Sequence, residues 1–293
     1  MASQFTLSSS ANASATLQEG VNGLFGLGGS VGMSEKPTVT YSPLQGDRFI
    51  QRVLSPLPLQ TIVLLFHSGW SIERIFRLCF QRMNHLKNAP GASGPTPSNA
   101  PHYREFASAV KFLRALQVRD AISLSYHEEH GVPQLILHIN EEEKNREAAR
   151  QFALAVNVEP GKTRYVLAFS PAFNKTDQVK VVTRSLLGIM FYISQAVEVP
   201  REDVLQGKVT QTKTVEGNVF DWREVTGDLL RIRSNSENPQ TGSMNIHYRG
   251  TWFYIDDSDL SSKSTFSLLA QIFSLQAGKI KDNAPLLTLP IGQ

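Results

Sequence analysis

The chain has 293 residues, of which 41% are hydrophobic and 19% are charged, and its formal net charge is +3. This composition excludes wholesale disorder, and so small a charge gives no indication of nucleic-acid binding. The single cysteine, Cys79, excludes an intramolecular disulfide framework and a cysteine-based metal cluster. No apolar run is long enough for a transmembrane helix, and the N-terminus does not have the pattern of a signal peptide. We therefore expect either a cytoplasmic protein or a chain whose leader is absent.

The first part of the chain differs in composition from the remainder. Residues 4–42 contain no arginine and are rich in serine, glycine, alanine and threonine. Between Phe5 and Leu17, and again between Gly23 and Met33, apolar or small residues alternate with mostly polar or glycine positions. Period-two alternation indicates strands, and the segment 18–22 between the two runs has the composition of a turn. The sequence therefore predicts an amphipathic β-hairpin arm over residues 1–43.

Residues 44–293 have the pattern of a mixed α/β (α+β) domain with a flexible proline-rich loop near 90–101. Helices are predicted at 58–67, 71–88, 102–118, 141–156, 184–197 and 261–276. Strands are predicted at 122–126, 134–139, 164–170, 179–182, 228–233, 244–248 and 251–255. The first two are predicted to form a hairpin around His130-Gly131, and the last two to pair through Arg249-Gly250. The helix at 184–197 is apolar on nearly every face, which predicts that it is buried. Ser261 or Ser262 is predicted to cap the last helix.

Four short motifs resemble chemical sites but lack part of the required pattern. Gly161-Lys162-Thr163 lacks the earlier glycine of a phosphate loop, and His127-Glu128-Glu129-His130 is one residue shorter than the zinc-protease motif. The Asp256–Asp259 run lacks the glycine and glutamate of an EF-hand, so we interpret it as support for the start of the next helix. Cys79 lies on the apolar face of a predicted helix, which favours a buried thiol. We predict no catalytic residue, no cofactor and no metal, although cation binding by the acidic run stays open.

The arm has the length and the alternation of strands in a membrane β-barrel. Such strands need about 9–11 residues, with apolar side chains toward lipid and polar or small ones toward the lumen. The residues predicted to face the membrane are Phe5, Leu7, Leu17, Phe25, Leu27 and Val31. The residues predicted to face the lumen are Ser8, Ser10, Asn12 and Ser30. One hairpin cannot close a barrel, so at least four copies would share the smallest, eight-stranded form. The competing interpretation is a disordered arm or one that adds to a soluble sheet.

Three stretches of the chain resemble a group of proteobacterial exported proteins described as hypothetical lipoproteins. They are KPTVTYSPLQGDRF from Lys36, SGWSIER from Ser68, and YRGTWFYIDDSDL from Tyr248 together with the helix that follows it. The resemblance implies a location in the cell envelope, with the hairpin at the outer membrane and the α/β domain in the periplasm. It implies no enzymatic activity and no site residues.

The sequence therefore predicts a non-enzymatic, self-associating cell-envelope protein, specifically a homo-oligomeric component of an outer-membrane pore. One alternative is a soluble periplasmic adaptor or scaffold whose arm adds a strand to a partner protein. A second alternative is a hydrolase with an unrecognised site that uses Asp256, Asp257 or Asp259. The number of copies, the cargo and the partner are not predicted.

Overall fold

The computed structural model describes residues 2–14, 28–41, 47–169, 176–240, 242–278 and 287–290. The chain divides into an arm unit, Met1–Gly46 with Lys279–Gln293, and a domain, Asp47–Gly278. The helices are α1 (Asp47–Leu54), α2 (Leu59–His67), α3 (Ile72–Cys79), α4 (Arg104–Val118), α5 (Glu147–Ala155), α6 (Leu186–Ser194), α7 (Arg201–Leu205), α8 (Arg223–Thr226) and α9 (Leu260–Gly278). The strands are β1 (Ala2–Ser14), β2 (Gly28–Tyr41), β3 (Phe80–Met83), β4 (Leu86–Lys87), β5 (Ile122–Glu129), β6 (Val132–Ile139), β7 (Arg164–Ala168), β8 (Gln178–Thr183), β9 (Arg233–Asn235), β10 (Gly242–Tyr248), β11 (Thr251–Asp256) and β12 (Leu287–Pro290).

The arm unit contains a three-stranded sheet in the order β1-β2-β12. β1 pairs antiparallel with β2, and the short β12 pairs antiparallel with the end of β2. β2 continues through Pro37 to Tyr41. β12 does not correspond to any of the predicted strands. The predicted turn at 18–22 lies outside the described residues.

The domain is a mixed α/β fold, as predicted. Its larger sheet has six strands in the order β4-β3-β8-β7-β6-β5, in which only the β7–β8 pair is parallel. The smaller sheet has the order β10-β11-β9. Two predicted hairpins are confirmed, because His130-Gly131 and Arg249-Gly250 both have positive φ values at the turns. Such left-handed pairs match the twist of the flanking strands.

The core lies between the larger sheet and the helices that pack on it. α2 contacts β5 and β6, while α4 contacts β5, α3 and α5. The fully buried aromatic residues of this core include Phe76, Phe80, Phe106 and Phe152. Cys79 is also fully buried, and its burial raises the thiol pKa to about 12. The expectation that Cys79 is a buried structural thiol is therefore confirmed.

The helix predicted to run from residue 71 to residue 88 is wrong in its second half. α3 ends at Cys79, and the chain continues as β3, in which Phe80 pairs with Thr183 and Met83 with Val181 of β8. Phe80 and Met83 satisfy the helical spacing, but both are fully buried as strand residues. Burial and hydrogen bonds within the sheet therefore override the local helical pattern.

Three further expectations about the domain are corrected. The predicted strand 228–233 is mostly a turn after α8, and the strand there, β9, begins only at Arg233. The predicted cap of α9 is also wrong, because the Asp259 carboxylate accepts a 3.0 Å hydrogen bond from the Ser262 backbone N–H. The helix predicted to be buried on every face, α6, exposes Leu187 and Met190 to solvent.

The proline-rich segment 90–101, predicted as a flexible loop, is held at several points in the structure. Residues Pro90–Ser93 form a 3-10 turn. The backbone N–H of Ala100 donates to the carbonyl of Lys213, and the N–H of Lys213 donates to the carbonyl of Ser98, both at 2.9 Å. The segment is therefore tied to the chain around residue 213.

Candidate self-association surface

The arm unit contains most of the residues that the sequence analysis assigned to the two faces of a membrane hairpin. Two of the predicted membrane-facing residues, Phe5 and Leu7, lie in β1. Two of the predicted lumen-facing residues, Ser8 and Ser10, lie in the same strand. Asn12 also lies in β1, and Ser30 and Val31 lie in β2. Leu17, Phe25 and Leu27 lie outside the described residues. Seven of the ten predicted residues can therefore be placed in the strand register.

The register of β1 and β2 pairs odd-numbered positions with odd-numbered positions and even-numbered positions with even-numbered positions. Ala11 is opposite Val31, and Asn12 is opposite Ser30. Residues directly opposite in an antiparallel pair lie on the same face of the sheet. The odd-numbered positions of both strands therefore share one face, and the even-numbered positions share the other. A register shifted by one residue would mix the two sets on each face.

The outer edge of β1, which we call the arm edge, has an unusual composition. In the order β1-β2-β12 this strand is the edge strand, and its 13 residues include no charged residue and no proline. β12 pairs only with the stretch from Thr38 to Tyr41 of β2. Within the part of the chain that the structure describes, the stretch from Gly28 to Pro37 therefore has only β1 as a partner. Among the described residues, neither of these two backbone edges has a further strand partner, and an unpaired edge is a template for another strand.

The acidic run in the domain is engaged by its own chain. The Asp256 carboxylate accepts hydrogen bonds from the Ser258 backbone N–H and hydroxyl, and these bonds lower the pKa of Asp256. Asp257 forms an ion pair with Lys263 at 2.8 Å, and Asp259 binds Ser262 in the first turn of α9. These contacts fit the interpretation that the run supports the start of a helix. Among the described residues, no group of three histidine, cysteine, aspartate or glutamate side chains is placed to hold a metal ion.

One of the other two short motifs lies in a turn, and the other lies at the end of a strand and the start of a hairpin turn. Gly161 has a φ of +83° and lies in the turn between α5 and β7, where Lys162 forms an ion pair with Glu159 at 2.9 Å. His127 and Glu128 lie in β5, and His130 lies at the hairpin turn with a φ of +51°. The two histidines therefore do not share a helical face.

A buried arginine that was not among the predicted site residues lies two residues before α6. Arg184 is fully buried, and its Nη1 donates hydrogen bonds to the carbonyl oxygens of Arg77, Leu78 and Phe80 at 3.0, 3.1 and 2.7 Å. Its Nη2 donates to the carbonyl of Asn88, and its Nε donates to the Ser93 hydroxyl at 3.0 Å. The guanidinium carbon lies 3.9 Å from the centre of the Tyr192 ring. This side chain therefore holds the segment in which the chain changes from α3 to β3.

A second arginine, Arg77, whose carbonyl binds Arg184, has a carboxylate partner. Arg77 is buried and forms a bidentate pair with Asp228, at 2.6 and 2.7 Å. Burial raises the pKa of Asp228, but the hydrogen bonds and the charge of Arg77 outweigh this effect and leave the pKa below its usual value. Both arginines thus serve packing within the domain. The only sign of these buried arginines in the sequence is that Arg184 stands beside a long apolar run.

The domain also contains two clefts. The first, of about 570 Å³, is lined by His85, Lys87, His102, Arg104 and Glu224 among others. In its wall, the Tyr103 hydroxyl and Arg104 donate to the same oxygen of Glu224 at 2.9 and 2.8 Å, and these bonds lower the pKa of Glu224. The second cleft, of about 500 Å³, is lined by valines, Phe220 and Trp222 together with polar and charged residues that include Asp221, Arg223 and Arg231. In the first cleft, the Glu224 carboxylate is therefore already bound by Tyr103 and Arg104.

No protein-family model matches the chain, and neither a curated protein nor a solved structure is significantly similar to it. In the described parts of the chain, no helix combines the length and the apolar character needed to cross a bilayer.

Proposed function

We propose that the protein is a non-enzymatic, self-associating cell-envelope protein whose arm units pair edge to edge. In the outer membrane, the paired arms of several copies form a shared pore. The observation that carries the proposal is the arm edge, a 13-residue edge strand without charge or proline. Natural edge strands are usually short, charged, interrupted by proline or covered, because an open edge is a template for another strand. A long unprotected edge is therefore the expected property of a strand that pairs with another chain.

The second free edge indicates how the copies pair. The β1 strand of one copy can pair with the Gly28–Ser34 stretch of β2 in the next copy, which, like β1, has no charged residue and no proline. This head-to-tail contact keeps the alternating strand direction of an antiparallel sheet. Heterologous contacts of this kind form a ring when the rotation between copies closes. The arms thus supply both halves of a repeating interface.

The in-phase alternation supports the membrane part of the proposal. On this proposal, the face that contains Phe5, Leu7 and Val31 faces lipid, and the face that contains Ser10 and Ser30 faces water. The lipid-facing side has one charged residue in β1 and β2, Glu35, which lies opposite Leu7. Outer-membrane strands have this alternation of apolar and polar or small residues. The location in the cell envelope rests on the resemblance to exported proteins described above.

The arm edge also favours a second candidate function. A free strand edge can accept a strand from a different protein, and this is how several adaptor domains bind extended peptides. A soluble periplasmic adaptor or scaffold would use the same backbone groups of β1. It would not require the two faces of the arm to meet different media, and this difference separates the two candidates.

The test compares arginine at adjacent positions on opposite faces of β2. Val31 is opposite Ala11, and Ser30 is opposite Asn12, so both substitutions face a small cross-strand neighbour. Val31→Arg should weaken assembly by about 2–4 kcal/mol near the bilayer midplane, because it places a charge in lipid. Ser30→Arg should leave assembly intact and shift the conductance toward anions, since it adds a ring of positive charge to the pore. The measurements are the mass in detergent and the current across a planar bilayer.

The outcomes distinguish the two candidates. A detergent-dependent oligomer that only Val31→Arg disrupts supports the pore. Equal tolerance of both substitutions, with no current from either variant, contradicts the pore. If the chain is then a monomer in both buffer and detergent, the adaptor replaces the self-associating protein as the better account.

A further inference from the structure

The β10–β11 hairpin extends beyond the body of the domain, because one of its faces becomes more exposed from the base to the tip. At the base, Ile255 is buried in the core, and Met244, which is opposite to it, is 38% exposed. Toward the tip on the same face, Ile246 and Tyr248 are 68% and 61% exposed. Residues directly opposite in an antiparallel pair share a face. We call the exposed part of this face the tip face, which consists of Ile246, Tyr248, Thr251 and Phe253.

The opposite face of the hairpin is partly covered by its own chain. Asn245 lies on that face, and its Nδ2 donates a 3.2 Å hydrogen bond to the carbonyl of Pro239. The rings of His247 and Trp252 also lie there, with centroids 4.9 Å apart. Glu237 belongs to the segment that covers this face, two residues before Pro239. The tip face is therefore the side of the hairpin that presents apolar side chains to the surroundings, and such exposed surfaces mark interaction sites.

The charges of the hairpin are separated along its length. Arg249, in the turn, is exposed and is the only lysine, arginine, aspartate or glutamate between Ser243 and Ile255. The acidic run that follows β11 begins at the base, about 20 Å from the turn. Asp256 and Asp257 of that run form ion pairs within the domain. The tip of the hairpin therefore combines exposed apolar and aromatic side chains with a free cation.

We infer that the tip face docks onto the surface of an anionic lipid bilayer. Tyrosine is enriched at membrane–water interfaces, and the apolar side chain of Ile246 can enter the boundary between headgroups and acyl chains. Arg249 complements the negative charge of the headgroups, which attract basic residues next to a membrane. Docking at this depth leaves the open backbone edge of β10 in water, which the hydrocarbon core would not allow. The inference concerns the domain and does not require the arms to pair.

The test places a fluorescent label on the tip face of the full chain. Thr251→Cys, opposite Tyr248, is labelled with an environment-sensitive maleimide dye. Cys79 is the only native cysteine, and its buried thiol does not compete with the introduced thiol. Phosphatidylglycerol vesicles should shift the emission to shorter wavelengths, because the label leaves water. The matched control is Val215→Cys, which should show no shift, since Val215 is a fully exposed valine outside the hairpin.

Two substitutions in the labelled chain separate the apolar and the charged contributions. Tyr248→Glu should lower the partition coefficient at least about tenfold, because it removes the ring and adds a carboxylate that an anionic surface repels. Arg249→Glu should lower it about fivefold with phosphatidylglycerol vesicles and much less with neutral phosphatidylcholine vesicles. Val215→Glu adds the same charge outside the hairpin and should leave the partition coefficient nearly unchanged. Thermal unfolding verifies that each variant is folded.

Three results would overturn the inference. The first is no spectral shift of the label at Thr251→Cys with phosphatidylglycerol vesicles. The second is an equal loss of partitioning in Tyr248→Glu and Val215→Glu, which would mean that any added negative charge has this effect. The third is a shift that needs no vesicles and grows with protein concentration, which would assign the tip face to a second copy. The label reports on the hairpin and Val31→Arg on the arm, so each proposal can fail without the other.

Discussion

Arg184→Ala should lower the free energy of unfolding by about 3–5 kcal/mol, because it removes a donor from four buried backbone carbonyls. The carbonyls belong to residues Arg77, Leu78, Phe80 and Asn88. Of these, only the carbonyls of Arg77 and Phe80 keep a hydrogen bond from Asn88 Nδ2, at 2.8 and 2.7 Å. An unsatisfied buried acceptor costs about 1–3 kcal/mol, and partial hydration of the cavity reduces the sum. The substitution also removes the contact between the guanidinium and the Tyr192 ring. Denaturant unfolding of the domain, followed by tryptophan fluorescence, measures the change.

The conservative control for this prediction is Arg184→Lys. Lysine keeps the positive charge, but its three donors do not reproduce the planar fork that reaches several carbonyls at once. We expect this variant to lose most of the same stability. Burial lowers the pKa of Arg184 to about 10, so the native guanidinium is still charged at neutral pH. An unchanged unfolding midpoint in Arg184→Ala would show that this arginine does not hold the junction between α3 and β3.

Phe80→Ala should lower the free energy of unfolding by about 3–5 kcal/mol, because it leaves a cavity in a close-packed core. Phe80 is fully buried, its ring centre lies 4.5 Å from that of Phe76, and its backbone belongs to β3. Phe266→Ala is the matched control, since Phe266 on α9 is 41% exposed. We expect the control to change the unfolding midpoint much less. Equal losses in the two variants would contradict the packing of β3 against the helices.

The parts of the fold that depend on local chemistry are predictable from the sequence. The hairpins at His130-Gly131 and Arg249-Gly250 follow from turn residues between alternating runs, and both occur in the structure. The helix at 104–118 follows from apolar spacing in the same way. In each case the residues that decide the conformation are close neighbours along the chain.

The parts that depend on distant partners are not predictable in this way. The spacing of Phe80 and Met83 fits both a helix and a buried strand, and pairing with β8 decides between them. The apolar character of α6 predicts burial, but the packing of α1 and α9 leaves Leu187 and Met190 exposed. The alternation of the arm is visible in the sequence, whereas the position of β1 at an edge depends on the order of strands in the sheet.

Amide hydrogen exchange along β1 tests the central claim, which is that the arm edge pairs with another copy. Exchange over Ala2–Ser14 is compared below and above the concentration at which the full chain associates. The account predicts slower exchange of β1 amides in the associated state, because strand addition gives the outward-facing N–H groups a partner. Gly242–Tyr248, the edge strand β10 of the domain, serves as the internal reference and should exchange at the same rate in both states. Association without any change in β1 exchange would contradict the account.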